Sequence, residues 1–261
     1  MARGMNKAMI IGFVEREPEM RHTAEGQAVT SFGVSTSRCW TTNSGQSRES
    51  TEWFHLVAWG RLAELASRRL RRDQRIYAEG YIQTRSWEDA EGQRRFLTEF
   101  VASKLIPVDG HCPEPDEQRV DEEAPWCLNR IMVIGNLGRD PEMRYTPGGQ
   151  AVTSFSLAAT RTWTAPNGQR RDSTEWFNVV AWGSLAEICH QYLTKGRRVY
   201  VEGELRTRSW DQPNGQRNFR TEIVASDMIK LGPRPSAEVD EEPLMSSELH
   251  ETKTEGARTD Q

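Results

Sequence analysis

Nine tryptophans stand against five tyrosines and eight phenylalanines, and eight of the nine fall into two matched sets. The first is Trp40, Trp53, Trp59 and Trp87; the second is Trp163, Trp176, Trp182 and Trp210. Arginines interleave with the rings: Arg38, Arg48, Arg85 and Arg94-Arg95 in the first set, Arg161, Arg171, Arg208 and Arg217 in the second. A flat π-face beside a guanidinium suits a single strand of nucleic acid. Each stacked base contributes about 1–3 kcal/mol, and the cation neutralises phosphate. Stacking reads no sequence, because every base has a π-face, and a duplex hides those faces. Trp is most often core filler. Trp53, His55, Val57 and Trp59 share one strand face, however, opposite the apolar Phe54-Leu56-Ala58 face.

Other chemistry finds little support. The five histidines (His22, His55, His111, His190, His250) are scattered, and His111-Cys112 and Cys189-His190 are adjacent pairs rather than chelating spacings. Cys39, Cys112, Cys127 and Cys189 share no C-x-x-C spacing. We expect no catalytic residue, no metal ligand and no cofactor: a binding protein, not an enzyme. Arg68, Arg69, Arg71 and Arg72 read as a solvated helix face, since the matching positions hold Gln191, Tyr192, Thr194 and Lys195. Trp126 reads as a local contact.

The matched sets belong to an internal repeat. Thr51-Glu52-Trp53-Phe54 recurs as Thr174 to Phe177, and Thr84-Arg85-Ser86-Trp87 as Thr207 to Trp210, each 123 positions on. The offset holds from Asn6/Asn129 to Ile106/Ile229, with roughly half the aligned positions identical. Two domains of ordinary size are expected: residues 5–107 and 128–231. The acidic segments 108–127 and 232–261 read as a linker and a disordered tail. Residues 1–106 carry 16 Lys+Arg against 13 Asp+Glu, and 129–231 carry 14 against 10. Residues 107–128 carry 1 against 7, and 232–261 carry 3 against 8. The formal net charge of -4 therefore conceals two basic domains alternating with two acidic segments.

Within each copy, the apolar run Met9–Val14 and the alternating Ala28–Ser35 read as strands, followed by a hairpin into Glu52–Trp59. Leu62, Leu65, Ala66 and Leu70, matched by Leu185, Ile188, Cys189 and Leu193, have helical spacing. Strand four places Ile76, Ala78, Gly80 and Ile82 on one face, and Phe96–Ile106 is strand five. Trp40 and Trp87 border the two polar loops. Three strands, a helix and two strands make the OB-fold order, a five-stranded Greek-key barrel. The fold class expected is all-β, two tandem OB-folds each with one short helix.

The motifs Pro18-Glu19-Met20-Arg21, Thr51-Glu52-Trp53, Trp59-Gly60-Arg61-Leu62-Ala63-Glu64, Tyr77-Ala78-Glu79-Gly80 and Thr84-Arg85-Ser86-Trp87 resemble bacterial single-stranded DNA-binding proteins. Pro141-Glu142-Met143-Arg144 and Tyr200-Val201-Glu202-Gly203 repeat the likeness. The resemblance spans both domains, about three quarters of the chain. It implies sequence-independent binding of single-stranded DNA in replication, recombination and repair, with stacking at Trp40, Trp53, Trp59, Trp87, Trp163, Trp176, Trp182 and Trp210. Phe is common at the positions of Trp59 and Trp182. The likeness is to a two-OB-fold branch that reaches four OB-folds as a homodimer, cytoplasmic and nucleoid-associated, with no membrane partner. The family's acidic tail usually ends in apolar residues that dock repair and replication enzymes; the polar Gly256–Gln261 leaves that recruitment in doubt. The competing reading is an OB-fold primosome or RNA-binding accessory factor.

Overall fold

The computed structural model describes residues 4–42, 45–88, 92, 94–108, 127–164, 168–211 and 217–232. The described residues up to Leu231 belong to one compact unit. Except for Val108, Cys127 and Gly232, the expected linker and tail lie outside the described residues, as does Trp126.

Among the described residues, twelve strands and two helices follow in repeat order. The first half holds β1 (Met5–Val14), β2 (Glu19–His22), β3 (Ala28–Thr41), β4 (Ser47–Trp59), α1 (Arg61–Arg69), β5 (Arg75–Glu88) and β6 (Arg94–Pro107). The second holds β7 (Leu128–Leu137), β8 (Glu142–Tyr145), β9 (Ala151–Thr164), β10 (Arg170–Trp182), α2 (Gly183–Tyr192), β11 (Arg198–Asp211) and β12 (Arg217–Lys230). In each half, β1 or β7 pairs with strands on both sides, which closes a five-stranded barrel β1-β3-β4-β6-β5, repeated as β7-β9-β10-β12-β11. This is the expected OB-fold order, with one addition. The short β2 and β8 lie outside β3 and β9, held by pairings such as Glu19 to Ser31.

Alternation determines which side of each strand is interior. Ala8, Ile10 and Val14 of β1 are buried, as are Ile76, Ala78 and Ile82 of β5, closing around Phe32, Leu56 and Phe100. Ile131, Phe155, Leu157, Leu205 and Ile223 fill the second barrel. The helices depart from expectation. Leu65 and Ile188 face outward, and Ala63, Ala66 and Leu70, or Ala186, Cys189 and Leu193, face the barrel. Small residues at the contact let a short helix sit close. The buried Thr30 hydroxyl donates to the Ala63 carbonyl at 2.9 Å, and Thr153 to Ala186 at 2.7 Å. Gly60 and Gly183, with φ of 56° and 58°, turn the chain from the third long strand into each helix, a backbone region costly for other residues.

The halves are joined in one sheet. β1 and β7 pair antiparallel from Met5–Ile134 to Ile11–Leu128, so the order β6-β5-β1-β7-β11-β12 runs unbroken across the junction. Within each half, Asn6 and Asn129 tie the junction strands β1 and β7 to their other neighbours, β5 and β11. The Asn6 side-chain amide donates to the Ile82 carbonyl at 2.7 Å and its oxygen accepts the Ile82 amide at 3.1 Å. Asn129 does the same with Leu205, at 2.8 and 3.1 Å.

Candidate nucleic-acid interface

Trp53 and Trp176 project from the middle of β4 and β10, on the face turned away from Leu56 or Val179, and are 65% and 60% exposed. A core role would bury them; instead the barrel beneath carries the core and leaves both rings to solvent. Trp59 and Trp87 are 40% and 48% exposed, Trp163 is 37% exposed, and Trp182 is half-buried. The face is not uniformly open: Val57, between Trp53 and Trp59, is buried. Trp40 and Trp210 lie on β3 and β11, with side chains outside the described set.

Trp40 and Trp87 border the two loops as expected, each the second-to-last residue of its strand. Trp40 lies within β3, opposite Arg48, and Trp87 within β5, opposite Arg95. The two hairpins extend the ladders into sequence whose polar composition reads as loop, because cross-strand pairing outweighs weak intrinsic β preference. This places tryptophan and arginine positions in register, as those of Trp163 and Arg171 also are.

The arginines differ in what they touch. Arg48 and Arg171 are exposed at the hairpin stems. Arg85 pairs with the buried Glu99 at 3.4 Å and Arg208 with the buried Glu222 at 2.5 Å, which orients both side chains on their strands. Arg94 lies 5.6 Å from the Phe96 ring centroid. Arg161 lies over Tyr81 at 3.8 Å and Trp163 at 4.9 Å, whereas Arg38 pairs with Glu204 at 3.0 Å. Arg217 begins β12, and its side chain and that of Arg95 lie outside the described set. His55 shares the Trp53 face; burial, the largest effect, holds its pKa below the ordinary 6.5, so it is neutral at pH 7.

Sequence reasoning missed the repeat-related Phe96 and Phe219, 64% and 68% exposed. They share the period-two face of Phe100 and Ile223, which are core, and alternation alone would place them inside. The twisting ends of the hairpins lift them clear of the barrel. Together with Trp53 they line a groove of about 290 Å³ that spans the two halves. The 123-residue offset and the neighbouring Arg94 were the available signal.

Among the described residues no group of three His, Cys, Asp or Glu could hold a metal ion, and no helix is long and apolar enough to cross a membrane.

The single-strand binding protein family matches the chain twice, over residues 5–108 and 128–231. The single-stranded DNA-binding protein of Thermus aquaticus is 35% identical over 227 residues, covering 86% of this chain and 84% of that protein. Its namesake in Deinococcus radiodurans is 35% identical over 208 residues, covering 78% and 68%. The crystal structure of the wild-type Thermus aquaticus protein superposes with a TM-score of 0.68 at 29% identity, covering 90% of this chain and 97% of that one.

Proposed function

This chain belongs to the single-strand binding protein family, and on that premise we propose that it binds and protects single-stranded DNA without sequence preference in replication, recombination and repair. It is not an enzyme; family members bind DNA without chemical turnover. The observation that carries the reading is the solvent exposure of Trp53 and Trp176, at matched places on barrels that need neither ring for their cores. Bases stack on Trp40, Trp53, Trp59 and Trp87 and on their repeats Trp163, Trp176, Trp182 and Trp210. Phosphates meet Arg38, Arg48, Arg85 and Arg94 and their repeats Arg161, Arg171, Arg208 and Arg217. Residues 5–107 and 128–231 are the two binding units, joined through 108–127 and followed by the acidic 232–261. The setting is the cytoplasmic nucleoid.

The chain acts as a homodimer with four OB-folds. The outer face of the central sheet supports this, because apolar side chains form rows across it. Ile106, Tyr77 and Ile11 lie in register in the first half, and Ile229, Tyr200 and Ile134 in the second. Ile106 and Ile229 are well exposed there. A second copy would cover these rows.

Titrating the protein with poly-dT while following Trp emission tests the reading, with duplex DNA and matched RNA as competitors. Strong quenching that duplex does not reverse is expected. Preference for RNA would favour an RNA-binding accessory factor, and no quenching would remove the reading. Sedimentation with and without dT oligonucleotides reads the dimer.

A further inference from the structure

The junction of the halves holds two clefts whose lining residues are related by the repeat, and they are not equivalent. One is lined by Asn6, Tyr81, Gln83, Arg161, Ser173 and Glu175. The other has Asn129, Glu204, Arg206, Arg38, Ser50 and Glu52 in the matching places. At the decisive position the first half has Tyr81 and the second half has Glu204.

That exchange changes the chemistry of the facing arginine. Arg161 stacks on Tyr81 at 3.8 Å and on Trp163 at 4.9 Å. A cation–π contact uses the face of the guanidinium, so its in-plane N–H donors and its full charge stay available to an anion. Arg38 instead donates through Nη1 to both Glu204 oxygens, at 3.1 and 3.0 Å, and Arg206 reaches the same carboxylate at 3.3 Å. A phosphate entering there must displace a carboxylate and meets like charge. The Tyr81 cleft sets Arg161 and Arg171 against the single carboxylate of Glu175, whereas the Glu204 cleft sets Arg38 and Arg206 against Glu52 and Glu204. The Tyr81 cleft is also larger, about 580 Å³ against about 250 Å³, and both Trp59 and Trp163 line it. It therefore joins a ring from each half to two arginines in one open channel.

We propose that single-stranded nucleic acid passes from one half to the other through the Tyr81 cleft, and that Glu204 bars the repeat-related cleft. Tyr81 is the positioning residue of the open crossing. It holds Arg161 without neutralising it, while Glu204 occupies the arginines of the closed crossing. The bound strand then has one route across the junction, and the path over the protein is asymmetric despite the repeat. This inference rests on the binding reading above and adds the route to it.

The test uses the full chain with two probes, dT oligonucleotides of about 35 and about 8 nucleotides, at ~4–16 nucleotides per OB-fold. The longer must cross the junction and the shorter fits within one half. Tyr81→Phe, Tyr81→Leu and Tyr81→Glu should weaken binding of the longer probe in that order. Tyr81→Glu should cost about five-fold or more, because it pairs Arg161 with a carboxylate as Glu204 pairs Arg38. Glu204→Gln should tighten it and steepen the salt dependence by about 0.7 for each arginine released to a phosphate. The shorter probe should show much smaller changes. If the parent binds but Tyr81→Glu costs nothing, the crossing is elsewhere. The proposal also falls if Glu204→Gln fails to tighten binding, or if the short probe loses as much as the long one. Lower thermal stability of Tyr81→Leu with undiminished affinity would make Tyr81 merely structural. Failure of the parent to bind either probe would instead remove the reading of single-strand binding itself.

Discussion

The Trp176 ring lies against the backbone of Gly138, so close that a Cβ at that position would come within 2.3 Å of the ring. The repeat partner of Gly138 is Glu15, and Trp53 therefore cannot settle into the same place in the first half. Gly138→Ala must shift the ring or the strand. We expect it to weaken single-strand binding by up to the cost of losing Trp176, about 1–3 kcal/mol, and to alter Trp emission. Circular dichroism and a poly-dT titration check this; parental emission and affinity would show that the ring has freedom to spare.

Trp53→Ala and Trp176→Ala should each lower affinity for oligo-dT by about 5- to 150-fold, the equivalent of about 1–3 kcal/mol. Neither should unfold the protein, because both rings are largely exposed and their removal opens no cavity. Affinity and thermal midpoint measured on the same samples separate the outcomes. Parental affinity with an intact fold would return both rings to a structural role.

Much of this was readable from residue order. The repeat, the barrel order and the exposed Trp53 follow from spacing, since alternation along β4 puts Leu56 and Trp53 on opposite faces. What escaped was decided by partners distant in sequence. Glu19–His22 is exposed throughout and Glu142–Tyr145 is exposed except at Met143; each is only four residues long, and pairing to β3 and β9 makes them strands. Nothing in Met5–Val14 says that its open edge meets Leu128–Leu137 rather than water. The exposure of Phe96 and Phe219 was not legible, because period-two alternation places them with the core residues Phe100 and Ile223, and these strands twist. Tyr81 and Glu204 carry no signal of their own, because their partners Arg161 and Arg38 belong to the other half.

Acid should reveal a second feature of the junction. Glu52 Oε2 accepts the Thr207 amide at 3.0 Å, and Glu175 Oε2 accepts the Thr84 amide at 3.1 Å, each reaching across to the other half. Burial, the largest effect, pushes both carboxyls above the ordinary 4.5, against the lowering effect of those amides. The folded chain thus holds these protons more tightly than the unfolded chain. Their contribution to stability is largest below the unfolded value and declines as pH rises through the folded one. Glu52→Gln/Glu175→Gln keeps an oxygen for each amide and removes the titration. The double variant should melt higher than the parent at neutral pH, with the difference vanishing below pH 4.5. Melting curves across that range check it; a variant that melts lower at neutral pH would mean that the charged carboxylates stabilise the junction.

The acidic segment 232–261 should tune binding through charge alone. It carries 8 Asp+Glu against 3 Lys+Arg and follows two domains that are both basic. A covalently attached anion is expected to compete with phosphates for arginines, an attraction that salt screens over about 10 Å at 0.1 M. Deleting residues 233–261 should tighten binding of oligo-dT, and the gain should shrink as salt rises. Replacing Asp240, Glu241 and Glu242 by Asn and Gln should reproduce part of the gain at full length, which separates charge from mere bulk. Equal affinity of parent and deletion at low salt would show that the segment keeps clear of the groove.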